Sequence, residues 1–437
     1  MFDNLLGQDV AGRLIGDIEN EFLVPSMLFS GPPCSGKGTA ALELGRIISC
    51  ENNTERAAWN CQCPSCTRHR LLAHTDLLCF GPRNFSAEIA ASAGTFLRDP
   101  SLPASRTLFI RAMKKLLIRF NTTLLDDDSK AGKLSQQVYA LEEDLDETEK
   151  MAQEPSINTE ALAKLCEGMI KNAIKLESEG ISDNIPIGHI RKASAWCHLA
   201  PMGRGKLLII ENADRMLEEA RNSMLKLLEE PPPRVTIVLT TPRPGSLLAT
   251  ILSRLRPYRF AARTAADEAD VIRRVFRDEG NGRSINSYLD SFLPVSGETL
   301  KAAAAFFAAS IAFRASVLCN RRGRPIPNEV VLLGKYCAPL AEAAGLGRPQ
   351  GEAAAVLSLL LEKTERFEIR SLFARFLSLL LESASLSQRS SAPSLAYNGL
   401  WSNCAAWSET SVGIYNLRAS MVLEKLFTDL SRGLADL

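Results

Sequence analysis

The sequence has no long hydrophobic run and no excess of charge of either sign. No uninterrupted apolar run approaches the roughly eighteen residues that a membrane-spanning helix needs. The N-terminal segment MFDNLLGQDVAGR lacks the basic start and apolar core of a secretory signal. Lysine and arginine total 51 against 50 acidic residues, so any contact with DNA must come from a local patch. These absences predict a soluble cytoplasmic protein without membrane contact.

The chain is long enough for several domains and is rich in cysteine. Its 437 residues exceed an ordinary single core, and a hydrophobic content of 46% supports globular packing. The length therefore predicts two or three domains. Eleven cysteines in a cytosolic chain indicate metal ligands or buried thiols rather than disulfides.

A glycine-rich loop near the N-terminus has the pattern of a phosphate-binding loop. In MLFSGPPCSGKGTA, the residues Gly31, Gly36 and Lys37 have the required spacing between a predicted strand and a predicted helix. The residue after the lysine, where a hydroxyl would hold magnesium, is Gly38, and Thr39 stands one place late. These five residues are the predicted ligands of nucleotide phosphates. Binding of ATP or ADP and a loop kept only for packing remain equal alternatives.

Strand and helix patterns alternate around this loop. A helix pattern follows the loop, and another precedes the third strand and stops at three prolines. The predicted strands are VPSMLFS, GKLLIIENAD and RVTIVLTT. This alternation, with a phosphate loop after an early strand, predicts an α/β fold with a parallel, doubly wound sheet.

Two regions depart from that alternation. Residues 84–186 hold two amphipathic helix patterns around an acidic stretch, which predicts an inserted helical hairpin or small bundle. Its basic residues Arg111, Lys115 and Arg119 share one helix face, which is more typical of a solvated surface than of a binding face. From about residue 263 the patterns are all helical and predict a small lid followed by a separate bundle.

Four cysteines cluster directly after the first helix pattern. Cys50, Cys61, Cys63 and Cys66 lie within seventeen residues and suit a tetrahedral structural Zn²⁺ site, which would leave no open position for catalysis. The single residue between Cys61 and Cys63 is a tighter gap than usual, and His69 could replace one ligand. The alternative is a set of reduced, partly buried thiols. The other seven cysteines are predicted to pack in the core.

Taken together, these segments resemble the bacterial DNA polymerase III clamp-loader subunits, the delta prime and gamma/tau group of AAA+ proteins. The resemblance covers residues 1–83 and 187–280 well and the C-terminal helices loosely, but not the insertion. The matching stretches, in the family's order, are FDNLLGQDVAGRL, MLFSGPPCSGKG, the four-cysteine segment, HTDLL, IGHIRKASAW, GKLLIIENADRM, ARNSMLKLLEEPPP, VTIVLTTPRPGSLLATILSRLRPYRF and YNLRASMVLEKLF.

The resemblance implies a three-part architecture and a set of partners. Residues 1–262 would form the AAA+ α/β domain, 263–322 a helical lid and 323–437 a helical collar for oligomerisation. The implied partners are other clamp-loader subunits in a hetero-oligomeric ring, the sliding clamp and primed DNA. Gamma-type subunits hydrolyse ATP, whereas delta prime is a stator that usually does not.

Two departures from the hydrolysing relatives bear on this choice. Glu211 stands where active relatives have the magnesium-coordinating aspartate, and Asn212 replaces their catalytic glutamate. Asparagine cannot act as a general base, and Gly38 removes the magnesium hydroxyl as well. Thr240 or Thr241 occupies the place where relatives sense phosphate, although each also fits a buried strand-end threonine.

A separate arginine resembles a residue that acts on a neighbouring subunit. Ser253 and Arg254 match the family's Ser-Arg-Cys motif, with Leu255 in place of the cysteine. The resemblance implies that Arg254 is an arginine finger acting in trans on a neighbour's ATP. The alternative is a surface arginine paired with an acid. Lys301 lies near the position of a lid arginine in gamma-type subunits, but a solvated helix lysine fits it better.

The sequence therefore predicts a non-hydrolysing, delta-prime-like stator without intrinsic ATPase activity. One alternative is a gamma/tau-type motor that uses Glu211 and Thr39 for magnesium. Another is a nucleotide kinase, suggested by GPPCSGKGT alone, which leaves the cysteine segment and the LEEPP helix unexplained.

Overall fold

The computed structural model describes residues 1–52, 57–125, 129–293, 295–346, 369–389, 394–413, 415 and 417–437. These residues form two compact units, Met1–Phe292 and Leu293–Leu437. A helix pattern over residues 352–384 lies partly outside the described ranges. The predicted division into residues 1–262, 263–322 and 323–437 stays a prediction.

Within the described part of the first unit, five strands form one parallel sheet in the order β2-β3-β4-β1-β5. The strands are β1 Ser26–Ser30, β2 Leu77–Phe80, β3 Lys206–Ile210, β4 Val235–Thr241 and β5 Arg256–Arg259. The parallel α/β fold predicted from the sequence is therefore confirmed. Since the phosphate loop follows β1, it emerges at the carboxyl edge of the sheet beside its centre.

Helices cover both faces of this sheet. Met27 and Phe29 of β1 pack into a core on one face, whereas Leu28 packs into a second core on the other face. This is why the central strands are apolar at consecutive positions. The helices of the unit are α1 Val10–Glu19, α2 Lys37–Ile48, α3 Pro64–Arg70, α4 Ser86–Arg98, α5 Pro103–Leu117, α6 Ser129–Met151, α7 Thr159–Gly180, α8 Ile187–His198, α9 Glu218–Glu229, α10 Ala249–Leu252, α11 Ala265–Val271 and α12 Ile285–Asp290. Shorter helical turns lie at Ile118–Phe120, Ala213–Arg215, Pro244–Ser246, Ile272–Phe276 and Gly280–Gly282.

Helices α4 to α7 form the predicted insertion between β2 and β3. They share a core of their own, in which Phe96 and Phe109 stack and Leu116 and Met169 are fully buried. The carboxylate of Glu177 on α7 accepts the backbone N–H groups at the start of α4 and so ties the two helices together. The insertion is therefore a packed four-helix element, and the acidic residues along α6 are mostly solvated.

The regular elements in the described part of the second unit are all helices. Its helices are α13 Gly297–Arg321, α14 Asn328–Ala343, α15 Ile369–Ser387, α16 Leu395–Gly413 and α17 Ala419–Ala435. By length and composition alone α13 could cross a membrane, but 67% of its apolar window is buried inside the chain. Phe307 on this helix is fully buried and packs edge-to-face against Phe376 and Phe427, as expected of the central helix of a bundle.

Candidate functional site

The phosphate loop runs from the end of β1 to the start of α2 and depends on glycine. A Cβ at Gly31, whose φ is +154°, would lie 2.3 Å from the carbonyl oxygen of Phe260. A Cβ at Gly36, whose φ is +93°, would lie 2.7 Å from Leu5 Cδ1. Only glycine therefore allows the loop to pass this close to its neighbours, at the sheet edge where parallel α/β folds bind ligands.

Lys37 is directed at the loop itself. Its Nζ donates to the carbonyl oxygens of Gly31 at 2.7 Å and Pro32 at 2.5 Å, and to Ser35 Oγ at 3.2 Å. Burial lowers the pKa of Lys37 to about 8. A phosphate bound in the loop would compete with these loop oxygens for the N–H groups of Lys37.

Glu211, at the end of β3, has both carboxylate oxygens engaged. Oε1 accepts a hydrogen bond from Arg83 Nη1 at 3.2 Å, and Oε2 accepts one from Arg119 Nη2. Its side chain is 7% exposed. Burial opposes ionisation, but the guanidinium groups of Arg119 and Arg83 hold the pKa of Glu211 below its usual range. The residue predicted at the magnesium position is thus a buried, ionised partner of two arginines.

The space beside Gly38 is filled by the same carboxylate. A Cβ on Gly38, the second residue of α2, would lie 2.6 Å from Glu211 Oε1 and 3.1 Å from Arg83 Nη1. Real Cβ atoms do not come this close to another heavy atom, so the Glu211 side chain would have to move to admit one. The space that a hydroxyl side chain at position 38 would need is therefore taken by Glu211 and Arg83, and Thr39 follows on the same turn of α2.

Asn212 has a local structural role. Its φ is +50°, in the left-handed region that asparagine tolerates better than most residues. Its Nδ2 donates to the carbonyl oxygen of Pro82 at 2.6 Å, joining the ends of β3 and β2. The amide is held by the backbone and carries no group that accepts a proton from water.

The two threonines that end β4 are buried. Thr240 Oγ1 accepts from the backbone N–H of Asn212 at 3.4 Å, and Thr241 Oγ1 donates to Asp214 Oδ1 at 2.8 Å. Arg243 completes the second contact by donating to Asp214 Oδ2 at 2.7 Å. These hydroxyls bond within the chain, as buried strand-end threonines do.

The insertion reaches this site through a row of alternating charges that the sequence did not reveal. Arg119, just after α5, pairs with Glu211; Arg83 pairs with Glu211 and with Glu88 on α4 at 2.6 Å. Lys115, one turn before Arg119, pairs with the other oxygen of Glu88. The interpretation of this basic face as a solvated surface is wrong. Arg111, on the same helix, donates to the carbonyl oxygen of Arg70.

The four predicted cysteines come together between α2 and α3. The sulfur atoms of Cys50, Cys61, Cys63 and Cys66 all lie within 4.8 Å of one another, and those of Cys50 and Cys61 are 3.8 Å apart. A tetrahedral zinc with Zn–S bonds of about 2.3 Å separates its sulfurs by about 3.8 Å. The donor set therefore fits a structural zinc ion.

Hydrogen bonds to sulfur support this cluster. The backbone N–H of Ala57 donates to Cys50 Sγ at 3.2 Å, and that of Cys66 donates to Cys63 Sγ at 3.4 Å. The buried Arg46 guanidinium lies 3.4 Å from Cys66 Sγ and is itself paired with Glu43. Such donors favour the thiolate form that metal ions bind.

His69 stands apart from the four sulfurs. Its ring stacks on His74 with 4.1 Å between centroids and packs against Gly45. Among the remaining cysteines, the prediction of core packing holds for those that the structure buries, which are Cys79, Cys166, Cys197, Cys319 and Cys337.

Arg254 lies at the opposite edge of the sheet from the phosphate loop. It precedes β5, whose first residue pairs with Met27 near the start of β1, whereas the loop follows Ser30. At about 3.3 Å per residue, the strand separates the two features by roughly 15 Å. Arg254 is part-exposed, and its Nη2 donates to Glu229 Oε1 on α9 at 2.6 Å. It borders a groove of about 380 Å³ that also includes Pro231. Lys301, on α13 in the second unit, is exposed.

Comparison with known proteins gives three findings. The family model described as "DNA polymerase III, delta subunit" matches residues 7–264, more than half of the chain. A segment of 55 residues is 49% identical to DNA polymerase III subunit delta' of Bacillus subtilis; it spans 13% of this chain and only 17% of that protein. A crystal structure of a DNA polymerase III gamma subunit-related protein from Thermotoga maritima aligns with 58% of this chain and 81% of its own, at 21% identity and a TM-score of 0.25.

Proposed function

We propose, from the premise that this chain belongs to the DNA polymerase III delta-subunit family, that it is a non-hydrolysing, delta-prime-like subunit of a clamp loader. In this role it joins other clamp-loader subunits in a cytoplasmic ring that places the sliding clamp on primed DNA. It contributes an arginine to a neighbour's ATP site and performs no ATP chemistry of its own.

The observation that carries this proposal is the double pairing of Glu211 with Arg83 and Arg119. Hydrolysis of a nucleoside triphosphate needs a metal ion beside the phosphates and a group that orients water. The acid at the metal position is already paired with two guanidinium groups, and Asn212 beside it donates to a backbone carbonyl oxygen. The same contacts count against a gamma/tau-type motor that would use Glu211 for magnesium.

Nucleotide binding without turnover is a separate part of the proposal. Gly31, Gly36 and Lys37 keep the loop conformation, and the N–H groups of Gly38 and Thr39 begin a helix whose dipole favours an anion. ATP or ADP held here would draw Lys37 away from the carbonyl oxygens that it now contacts. We assign the loop a role in binding nucleotide without hydrolysis and no catalytic role.

We also propose that Cys50, Cys61, Cys63 and Cys66 hold a structural Zn²⁺ ion. The four sulfurs lie within 4.8 Å of one another, and backbone N–H groups donate to the sulfurs of Cys50 and Cys63. With all positions filled by protein, such an ion would stabilise the segment between α2 and α3 and supply no catalytic water.

The position of Arg254 supports its role in trans. It lies at the amino-terminal edge of the sheet, too far from its own loop to act on a phosphate there, and it borders an open groove. An arginine in this position can reach a ligand only on another molecule. Its hydrogen bond to Glu229 is exposed and therefore inexpensive to break.

The test is ATP hydrolysis by a ring reconstituted from this chain and the ATPase subunits of its own organism, with clamp and primed DNA. An arginine finger contributes about 10³–10⁵ in kcat at its site, so Arg254→Ala should remove turnover at the neighbouring site. Assembly, followed by size-exclusion chromatography, should be unchanged. Arg274→Ala, at an exposed arginine paired with Asp270, is the control. Unchanged turnover in the Arg254→Ala ring would refute the finger.

A further inference from the structure

We infer that Arg119 of the helical insertion, together with Arg83 in the loop just before it, takes the place at Glu211 that Mg²⁺ occupies in related folds. The inference deepens the proposed function, since it states why the site does not hydrolyse ATP. It also gives the insertion a role.

The volume that a metal and its hydroxyl ligand need is already occupied. In a working loop the residue after the lysine offers a hydroxyl to Mg²⁺. Here that residue is Gly38, and a Cβ on it would lie 2.6 Å from the Glu211 carboxylate and 3.1 Å from the Arg83 guanidinium. The ligand set on this side of the loop therefore does not fit Mg²⁺.

The negative charge of the Glu211 carboxylate is already compensated without a metal ion. It is buried, and each of its oxygens accepts from a different guanidinium group. A buried carboxylate is tolerated only when it is paired and hydrogen-bonded, and this pairing supplies what a metal would otherwise supply.

The replacing cations are held in place by the insertion. The side chain of Arg119, in the helical turn just after α5, is 5% exposed, and its guanidinium lies over the ring of Phe85 at 5.2 Å. Arg83 lies over the same ring at 5.4 Å and is bridged through Glu88 to Lys115 on α5. The charges therefore alternate from α5 to the end of β3, and they belong to the fold rather than to a dissociable ligand.

The test is thermal unfolding of the full chain with and without MgCl₂, against KCl of equal ionic strength. Wild type should show no magnesium-specific shift in Tm. Arg119→Ala should lower Tm by roughly 5–15 °C because it uncovers a buried charge. Added Mg²⁺ should recover part of that loss, since the freed carboxylate can then accept a metal.

Two variants separate this result from a general packing defect. Arg119→Ala combined with Glu211→Gln removes the charge that the metal would meet, so its Tm should not respond to Mg²⁺. Lys114→Ala lies on the same helix outside the row of charges and should leave Tm close to wild type. If Arg119→Ala does not fold, the wild-type measurement and binding of Mn²⁺ to wild type, followed by electron paramagnetic resonance, still decide the question.

A magnesium-specific rise in the wild-type Tm that Glu211→Gln abolishes would overturn the inference. An Arg119→Ala variant as stable as Lys114→Ala would overturn it as well. Neither measurement involves ATP or partner subunits, so a failed arginine finger at Arg254 would leave this inference standing. Conversely, if the wild-type chain binds Mg²⁺ but does not hydrolyse ATP, this inference is wrong and the proposed stator role still stands.

Discussion

Gly38 and Glu211, the two positions predicted to differ from hydrolysing relatives, are in direct spatial relation in the structure. Glutamate is one methylene longer than aspartate, and its carboxylate reaches the space that a side chain at position 38 would fill. Arg83 and Arg119 hold it there. A side chain added at position 38 alone would therefore meet the Glu211 carboxylate and the Arg83 guanidinium.

Gly38→Ala provides a test of this packing at a single residue. Alanine is ordinarily the better helix former by about 1 kcal/mol, but here its Cβ meets a pinned carboxylate. We expect Gly38→Ala to destabilise the chain by about 1–3 kcal/mol in urea unfolding.

Gly188→Ala is the matched control, because Gly188 is also the second residue of a helix and a Cβ there has no heavy atom within 4 Å. It should be neutral or slightly stabilising. Equal effects of the two substitutions on the free energy of unfolding would show that the Glu211 carboxylate does not hinder a side chain at position 38.

At the scale of single elements, the segment from the end of α2 to α3 depends on its cysteines. Its described residues place few apolar side chains other than cysteines in the core, and its four sulfurs lie within 4.8 Å of one another. We expect about one zinc per purified chain, and Cys66→Ser should reduce this to near zero and lower Tm, because binding of a structural zinc ion contributes directly to folding.

Zinc content is measured by mass spectrometry after removal of loosely bound metal. Cys404→Ser, a part-exposed cysteine on α16, is the control and should keep its zinc. Zinc retained in full by Cys66→Ser would contradict the assignment of the four sulfurs.

The junction of α4 and α7 should respond to pH. Burial raises the pKa of Glu177 to about 7, although N–H groups of Phe85 and Ser86 and the charge of Arg83 favour its ionised form. Because the folded pKa lies above the unfolded value of about 4.3, the contribution of Glu177 is complete below pH 4 and is lost as pH rises through about 7.

Glu177→Gln should remove this dependence. The free energy of unfolding of the variant, relative to wild type, should therefore increase between pH 5 and pH 8 in urea titrations. Glu167→Gln, at an exposed position on the same helix, should show a constant difference from wild type. A constant difference for Glu177→Gln as well would contradict the raised pKa.

Local patterns predicted some of these elements and missed others. The strands β1, β3 and β4 were predictable because burial on both faces demands consecutive apolar residues. β2 carries the same signal in its four consecutive buried apolar residues, yet it was missed. β5 is a four-residue edge strand with two arginines and a proline and lacks that signal. The cysteine cluster was predictable because its ligands are close in the sequence.

The metal side of the phosphate loop was not predictable in the same way. The sequence showed Lys115 and Arg119 on one helix face, but whether that face meets water or protein depends on its partner. The acid that Arg119 contacts is 92 residues away in the chain. The sequence indicated that Asn212 replaces a catalytic base. Its left-handed backbone and its hydrogen bond to Pro82 could be seen only in the structure.

At the scale of the whole molecule, the first unit has two edges with different character. The carboxyl edge of the sheet carries a loop whose lysine and strand-end acid bond within the chain. The amino edge carries Arg254, part-exposed beside an open groove. Under the proposed function, the subunit would be passive at its own nucleotide loop and would contribute Arg254 to a neighbouring ATPase site.

The most direct test of this account is steady-state ATP hydrolysis by the isolated full-length chain in the presence of Mg²⁺, with Lys37→Ala measured in parallel. We predict that wild type shows only background turnover and that Lys37→Ala does not change it. Magnesium-dependent hydrolysis by wild type that disappears in Lys37→Ala would contradict the account.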